Sequence, residues 1–381
     1  MKKRLLFVTG SRGEWGYIRP ILRLCQKRDD VDASLCVTNM HLLPAFGMSK
    51  KEIESDGFAI DHTIYMAFDG YNHYSMAKSL GVFLSSFVDI LASEEPSWIV
   101  LAGDRGEQLM SAIAGAFCYV PTAHIQAGEL SGNIDGTSRH AIGKLAHMHF
   151  ASNEDAAERL RRLGEQPFRI HNVGAPQLDE LTQGLCTPKQ ELERKYSVDL
   201  GDDYFLVVQH PVTEECAEAS DQIEVTMNAL SDFSESKFAI LPNNDAGSVT
   251  VRKGLEEGKK GNFRIFANLK REDYLGLMKH SKCMVGNSSS GLIEAPTFGI
   301  PAVNIGTRQH RRVRGDNVID AVFEKNEIVE AVKKATSKAF KEHLKMCCEN
   351  PYGDGRSSER ILDVLLNTPI NDNLLTKRHV Y

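Results

Sequence analysis

Arg4-Leu5-Leu6-Phe7-Val8-Thr9-Gly10-Ser11-Arg12-Gly13-Glu14-Trp15-Gly16 opens the argument about fold. An apolar run this short, ending in a glycine-rich turn, reads as a buried strand. A helical pattern follows at 17–27. The same rhythm returns down the chain. Residues 4–9, 33–38, 98–102, 121–125 and 148–152 read as strands, with helices at 17–27, 74–91, 108–118, 138–146 and 154–163 between them. Strand–helix alternation of this kind builds a parallel, doubly wound sheet. The rhythm pauses at 172–176 and through a polar stretch at 187–203. It resumes with strands at 204–209, 238–241, 263–266, 283–286 and 302–305. A chain of 381 residues exceeds one ordinary core. The expected fold class is α/β, with two Rossmann-like doubly wound domains facing a cleft: 1–175 and 185–359, the boundary falling near 175–200. Ligands of open α/β sheets bind outside the carboxyl ends of the strands, so the loops that follow the strands carry the chemistry.

Bulk composition narrows the function. Charged residues make up 25% and hydrophobic ones 42%, as in ordinary globular proteins. The net charge is −6, with 45 basic against 51 acidic residues and no basic block, which argues against a nucleic-acid partner. An anionic ligand must then be held by local donors. The apolar run 5–8 is shorter than a signal peptide needs. No stretch reads as the ~20 apolar residues of a membrane span, so a cytoplasmic protein without a membrane partner is expected. Eight cysteines form no CxxC pair, and the adjacent Cys347 and Cys348 do not suit two ligand positions on one metal. They read as buried thiols in a reducing compartment. No HExxH or clustered ligand set is present, so neither a metal nor a cofactor is expected.

Three loops of the first half stand out. Gly10 to Gly16 holds three glycines and Arg12, a side chain suited to a phosphate, although the spacing matches neither a dinucleotide fingerprint nor a Walker loop. Asp104 ends the buried run 98–102 and is either the cap of the next helix or a carboxylate with proton-transfer duty. The segment 126–136 is polar, glycine-rich and too long for a minimal turn; it carries Glu129 and Asp135. Arg139, His140 and Lys144 follow at helical spacing, as a solvated face or as part of the site.

In the second half, His210 ends a strand and either donates to a phosphate or sits neutral in the core. Asn243 lies in the polar turn 242–248, which reads equally as a cap before a helix. Gly286-Asn287-Ser288-Ser289-Ser290-Gly291 joins a strand to a helix and offers backbone N–H groups to an anion. Glu294 is expected one turn inside that helix, and Arg308 follows the next strand.

Taken together, the stretches TGSRGEWG (9–16), GDR (103–105), HIQAGELSGNIDG (124–136), SRHAIGKLAH (138–147), QHPVT (209–213), PNNDAGS (242–248), GNSSSGLIE (286–294), GTRQ (306–309) and YGDG (352–355) resemble the hydrolysing UDP-N-acetylglucosamine 2-epimerases of the sialic- and legionaminic-acid pathways. The resemblance spans nearly the whole chain. It implies a GT-B fold with the C-terminal helix, 360–381, packing back on the first domain. The implied reaction is anti elimination of UDP to a glycal, then syn addition of water to give the free 2-epimer. Asp104, Glu129 and Asp135 match the family's catalytic carboxylates. Arg12, His210, Ser288, Ser289, Ser290 and Arg308 match its diphosphate loops, Glu294 its ribose contact, and Asn243 a further ligand-facing loop. Many relatives carry glutamate or histidine where this chain has Gln126, whose amide would hydrogen-bond a substrate substituent instead. Two substrates fit: UDP-N-acetylglucosamine and a UDP-2,4-diacetamido-2,4,6-trideoxy sugar, the latter favoured. UDP is the expected product and a homodimer or homotetramer the expected assembly. The alternatives on the same fold are a non-hydrolysing epimerase and a glycosyltransferase.

Overall fold

The computed structural model describes residues 2–44, 47–68, 73–131, 134–201, 203–242, 245–261, 263–267, 269–378 and 380. The chain divides into two compact units. One comprises Met1–Leu130, Ile134–Asp179 and Tyr352–Tyr381; the other comprises Glu180–Pro351 with Ser131–Asn133.

The first unit is built on seven parallel strands: β1 (Lys3–Thr9), β2 (Val31–Thr38), β3 (His62–Ile64), β4 (Trp98–Ala102), β5 (Thr122–Ile125), β6 (Met148–Ala151) and β7 (Ile170–Asn172). Their order is β3-β2-β1-β4-β5-β6-β7, so the direction of winding reverses between β1 and β4. Every residue of β4, β5 and β6 is buried, as both faces of the sheet are covered. One face packs Leu5, Phe7 and Val100 against Trp15, Ile18 and Leu22 of helix Arg12–Cys25 and against Ile361 and Leu365 of helix Ser357–Asn367. The other packs Leu6, Val8 and Leu101 against Phe83, Phe87 and Leu91 of helix His73–Glu94. That helix corrects one expectation. The 21 residues Tyr74–Glu94 are long and apolar enough to cross a membrane by length and composition. Its phenylalanines, though, lie in the core of this unit.

The second unit has six parallel strands: β8 (Tyr204–Val208), β9 (Ser236–Ile240), β10 (Phe263–Phe266), β11 (Cys283–Gly286), β12 (Ala302–Ile305) and β13 (Val318–Ala321). The order β10-β9-β8-β11-β12-β13 reverses between β8 and β11. Gly286 ends β11 at φ +136, and a Cβ there would lie 2.2 Å from the Val208 carbonyl oxygen. Only glycine lets the two strand ends meet at the reversal.

The strands read from sequence are present with ends displaced by a residue or two, while β3, β7 and β13 were not anticipated. These are sheet-edge strands of three or four residues without a continuous apolar run. Two helices start earlier than their apolar pattern. Helix Arg12–Cys25 begins five residues ahead of 17, because Ser11 and Glu14 form a capping box at its start. Helix Ile134–Leu145 begins four residues ahead of 138 and takes Asp135 into its first turn. The thiols depart from expectation too: Cys25, Cys36 and Cys283 are buried, whereas Cys118, Cys216 and Cys347 are exposed.

Candidate active site

Both reversal points gather the loops singled out above. At the first, the capping box does more than start a helix. The Ser11 hydroxyl accepts from the Glu14 amide at 3.4 Å. Glu14 Oε2 in turn accepts from the Gly10 amide at 2.5 Å and the Ser11 amide at 3.2 Å. Glu107, from the helix after β4, lies over the same turn: a Cβ on Gly10 would fall 2.0 Å from its Oε1. That oxygen accepts from Asn39 Nδ2 at 3.1 Å and sits 3.5 Å from Arg105 Nε. Glu14 and Glu107 are each 2% exposed. Burial first, and the Glu107 charge second, raise the Glu14 carboxyl well above the usual carboxylate range. Arg12 stands at the first position of the helix, with Nε 3.8 Å from Glu52 Oε2. Burial lowers its guanidinium pKa, and the Glu52 charge offsets part of that effect.

Asp104 is not the cap of its helix. Arg105 takes that place and caps with no side-chain bond. Asp104 instead pairs with Arg139, the residue that helical spacing left open as a solvated face. Arg139 is buried, and its other terminal nitrogen donates to the Gln126 carbonyl at 2.7 Å. One guanidinium thus ties the loop after β4 to the loop after β5. Gln126 adopts φ +61, and its buried amide nitrogen has no partner among the described residues. Just before it, His124 donates from Nε2 to the Gly103 carbonyl at 2.6 Å. Burial pushes its pKa down to about 3, so the ring is neutral.

Glu129 is also buried; its Oε1 accepts from Asn153 Nδ2 at 2.7 Å. Asn153 Oδ1 accepts from the Ala156 amide at 2.9 Å and caps helix Glu154–Arg162, so a helix start holds the carboxylate in place. Asp135 is half-buried. Of the other two residues at helical spacing, His140 is half-buried and Lys144 bonds Glu165 at 3.3 Å.

At the second reversal, Asn287 joins the two strand ends. Its Oδ1 accepts from the His210 amide at 2.7 Å and its Nδ2 donates to the His210 carbonyl at 2.9 Å. Gln309 Nε2 donates to the Asn287 carbonyl at 2.9 Å, and Arg308 reaches the same oxygen at 3.4 Å. Desolvation first, then the Arg308 charge, push the His210 pKa down to about 3, so its imidazole is neutral and still offers one N–H. The Ser288 hydroxyl accepts from the Ser290 amide at 3.3 Å. Tyr274, raised well above its usual pKa mainly by burial, bonds Ser290 and Ser288.

The helix expected after the serines is a single turn, Ser290–Ile293, which gives way to a 3-10 turn, Ala295–Phe298, containing Pro296. Its dipole is short, and donors at this turn are local amides and hydroxyls. Glu294 therefore sits at the end of that turn, not one turn inside a longer helix. It pairs with Arg271 at 2.9 Å, which has Glu180 3.6 Å away on its other side. Asn243 lies outside the described residues. The helix after its turn, Ser248–Gly258, starts at Gly247 with no side-chain cap.

The chain has counterparts among known proteins. The family model described as UDP-N-acetylglucosamine 2-epimerase matches residues 23–366. The chain belongs to the UDP-N-acetylglucosamine 2-epimerase family. A UDP-N,N'-diacetylbacillosamine 2-epimerase (hydrolyzing) of Legionella pneumophila is 36% identical to this family member over 100% of both chains. A UDP-N-acetylglucosamine 2-epimerase of Neisseria meningitidis is 32% identical, covering 99% of this chain and 98% of the relative. Among solved structures, UDP-GlcNAc 2-epimerase from Neisseria meningitidis bound to UDP-GlcNAc matches with TM-score 0.83 at 20% identity, over 96% of this chain and 100% of that one. The expected GT-B fold class and the expected enzyme family both stand.

Sequence reasoning did not single out three polar residues at these turns, Glu14, Glu107 and Arg271. Glu14 was legible, since Ser11-x-x-Glu14 is a capping-box pattern. Glu107 and Arg271 were not, as each acquires its partner from a distant part of the chain.

Proposed function

We propose that this epimerase eliminates UDP from a UDP-2-acetamido sugar to leave a glycal, and then hydrates the glycal to the free 2-epimeric sugar. The favoured substrate is a UDP-2,4-diacetamido-2,4,6-trideoxy sugar, with UDP-N-acetylglucosamine second; the product would feed nonulosonic acid synthesis. The observation that carries the reading is full-length identity of 36% to a relative named for the hydrolysing reaction on UDP-N,N'-diacetylbacillosamine.

The C2 hydrogen of such a sugar has no adjacent carbonyl to acidify it. Breaking the C1–O bond early gives C1 oxocarbenium character, and only then does C2–H become removable. Asp104 is the first candidate for that base, with Glu129 and Asp135 as further carboxylates for the elimination and hydration steps. Arg139 pairs with Asp104 and so orients its carboxylate. Arg12, neutral His210, Arg308 and the Ser288–Ser290 turn offer donors to the departing diphosphate, and preorganised donors of this type usually supply the largest catalytic contribution. Glu294 and Arg271 serve the ribose, and Asn243 the ligand-facing turn. The unpartnered amide of Gln126 would read an acetamido oxygen.

The test is mass spectrometry of products from both substrates in heavy-oxygen water with no acceptor present. Free UDP and an epimerised sugar labelled at C1 are expected. A UDP-linked epimer would make the protein a non-hydrolysing epimerase, and no turnover of either sugar would point to a glycosyltransferase.

A further inference from the structure

Asp316, His343 and Cys347 each offer one ligand atom, all within 4.8 Å of one another, on the exposed surface of the second unit. His343 and Cys347 stand one turn apart on helix Lys338–Cys347, and Asp316 comes from the loop before β13. The helical pair shares an ion once the Cys347 thiol leaves the His343 carbonyl, 3.1 Å away, and the imidazole turns one ring nitrogen towards the ion. Cys347 Sγ lies 3.3 Å from Nδ1 and 3.4 Å from Nε2 of His343. A tetrahedral zinc with Zn–S of about 2.3 Å and Zn–N of about 2.0 Å separates its sulfur and nitrogen ligands by roughly 3.5 Å. A mixed sulfur, nitrogen and oxygen set selects a borderline-soft cation of the zinc class over magnesium or calcium, which favour oxygen alone.

The position also gives such an ion something to hold. Next to Asp316, Asn317 donates to the Gly291 carbonyl at 2.9 Å and the Ile300 carbonyl at 3.0 Å. Just beyond Cys347, Cys348 Sγ contacts the Pro296 carbonyl at 3.6 Å, and Asn350 donates to the Ile293 carbonyl at 2.8 Å and to Thr297 Oγ1 at 2.7 Å. The loop and the helix end that carry the three ligands therefore grip the segment 291–300 from two sides. We infer that Asp316, His343 and Cys347 bind one zinc-class divalent cation, with an open fourth position for water, and that this ion braces the back of the serine-rich turn. The ion takes no part in bond breaking, and the inference stands whatever sugar the enzyme uses.

The probe is cobalt(II), whose thiolate charge-transfer and tetrahedral visible bands report sulfur ligation directly. The full chain, stripped with chelator and dialysed, is titrated with cobalt under reducing conditions. One equivalent should saturate both bands, and zinc should displace it. Cys347→Ser should abolish the charge-transfer band. His343→Ala and Asp316→Asn should each weaken binding at least tenfold, and Cys348→Ser should leave it unchanged. Zinc should also raise the melting temperature of the unsubstituted chain and not of the Cys347→Ser chain. Absence of a saturable band, a band that survives Cys347→Ser, or one that depends on Cys348 would each overturn the assignment.

Discussion

Replacing Glu14 with glutamine isolates the buried carboxyl pair at the first reversal point. The glutamine oxygen can keep accepting from the Gly10 and Ser11 amides, which Glu14 Oε2 holds at 2.5 and 3.2 Å, so the capping box survives. The amide nitrogen then replaces the second oxygen in a region that Glu107 makes electronegative. What disappears is a titration. In the fold, burial and the Glu107 charge raise the Glu14 pKa well above the usual carboxylate range. The unfolded chain therefore releases its proton first. An acid with a raised folded pKa binds more protons when native, so its contribution favours folding at low pH and is lost as pH climbs from the unfolded value to the folded one. Each pH unit in that window costs about 1.4 kcal/mol. In a unit of this size that corresponds to a melting-temperature difference of about 3–6 °C.

E14Q carries no such dependence. It should match the parent near pH 4.5 and become progressively more stable than it as pH rises. The assay is thermal or urea denaturation of both chains at half-unit pH steps from 4.5 upward in matched ionic strength. A parent-minus-variant difference that stays flat with pH, or tilts the other way, would refute the buried neutral acid. Glu14→Ala should follow the same pH trend as E14Q but lie about 0.5–2 kcal/mol below it, because it loses the half of the capping box that accepts from the Gly10 and Ser11 amides.

Other outcomes follow from the same geometry. Asp104→Asn should lower kcat by about 10²–10⁴-fold in a UDP-release assay, while UDP affinity by calorimetry changes little. Arg308→Ala should lower kcat by roughly 10²–10³-fold if it stabilises the departing diphosphate; a change in KM alone would assign it to ground-state binding. Gln126→Ala should reduce kcat/KM about 2–10-fold for the sugar whose acetamido oxygen it reads, the worth of one hydrogen bond, and leave the other sugar unaffected. Gly286→Ala should destabilise the second unit by at least about 2 kcal/mol in urea, because φ is +136 and the new carbon would lie 2.2 Å from the Val208 carbonyl oxygen.

The local pattern determined the architecture of this protein, and the reason is periodicity. Strands buried on both faces leave uninterrupted apolar runs, such as 98–102 and 204–208, that no other element explains. Short edge strands such as β3 and β7 lack those runs and were invisible for the same reason. The loops at the strand ends were legible as well, because glycine, serine and charged side chains placed after buried strands have few structural uses.

Pairing was decided elsewhere. Nothing in the spacing of Arg139 distinguishes a solvated residue from the buried partner of Asp104; the two lie 35 positions apart and meet only because β4 and β5 are neighbours. Glu107 reaches Gly10 because β1 and β4 pair in the sheet. Asp316 finds Cys347 only once β13 and the helix that ends at 347 are in place. Sequence specifies which groups stand at the end of each strand. Which charge neutralises which, and which acid is forced to keep its proton, depends on distances between strands that only the folded sheets set.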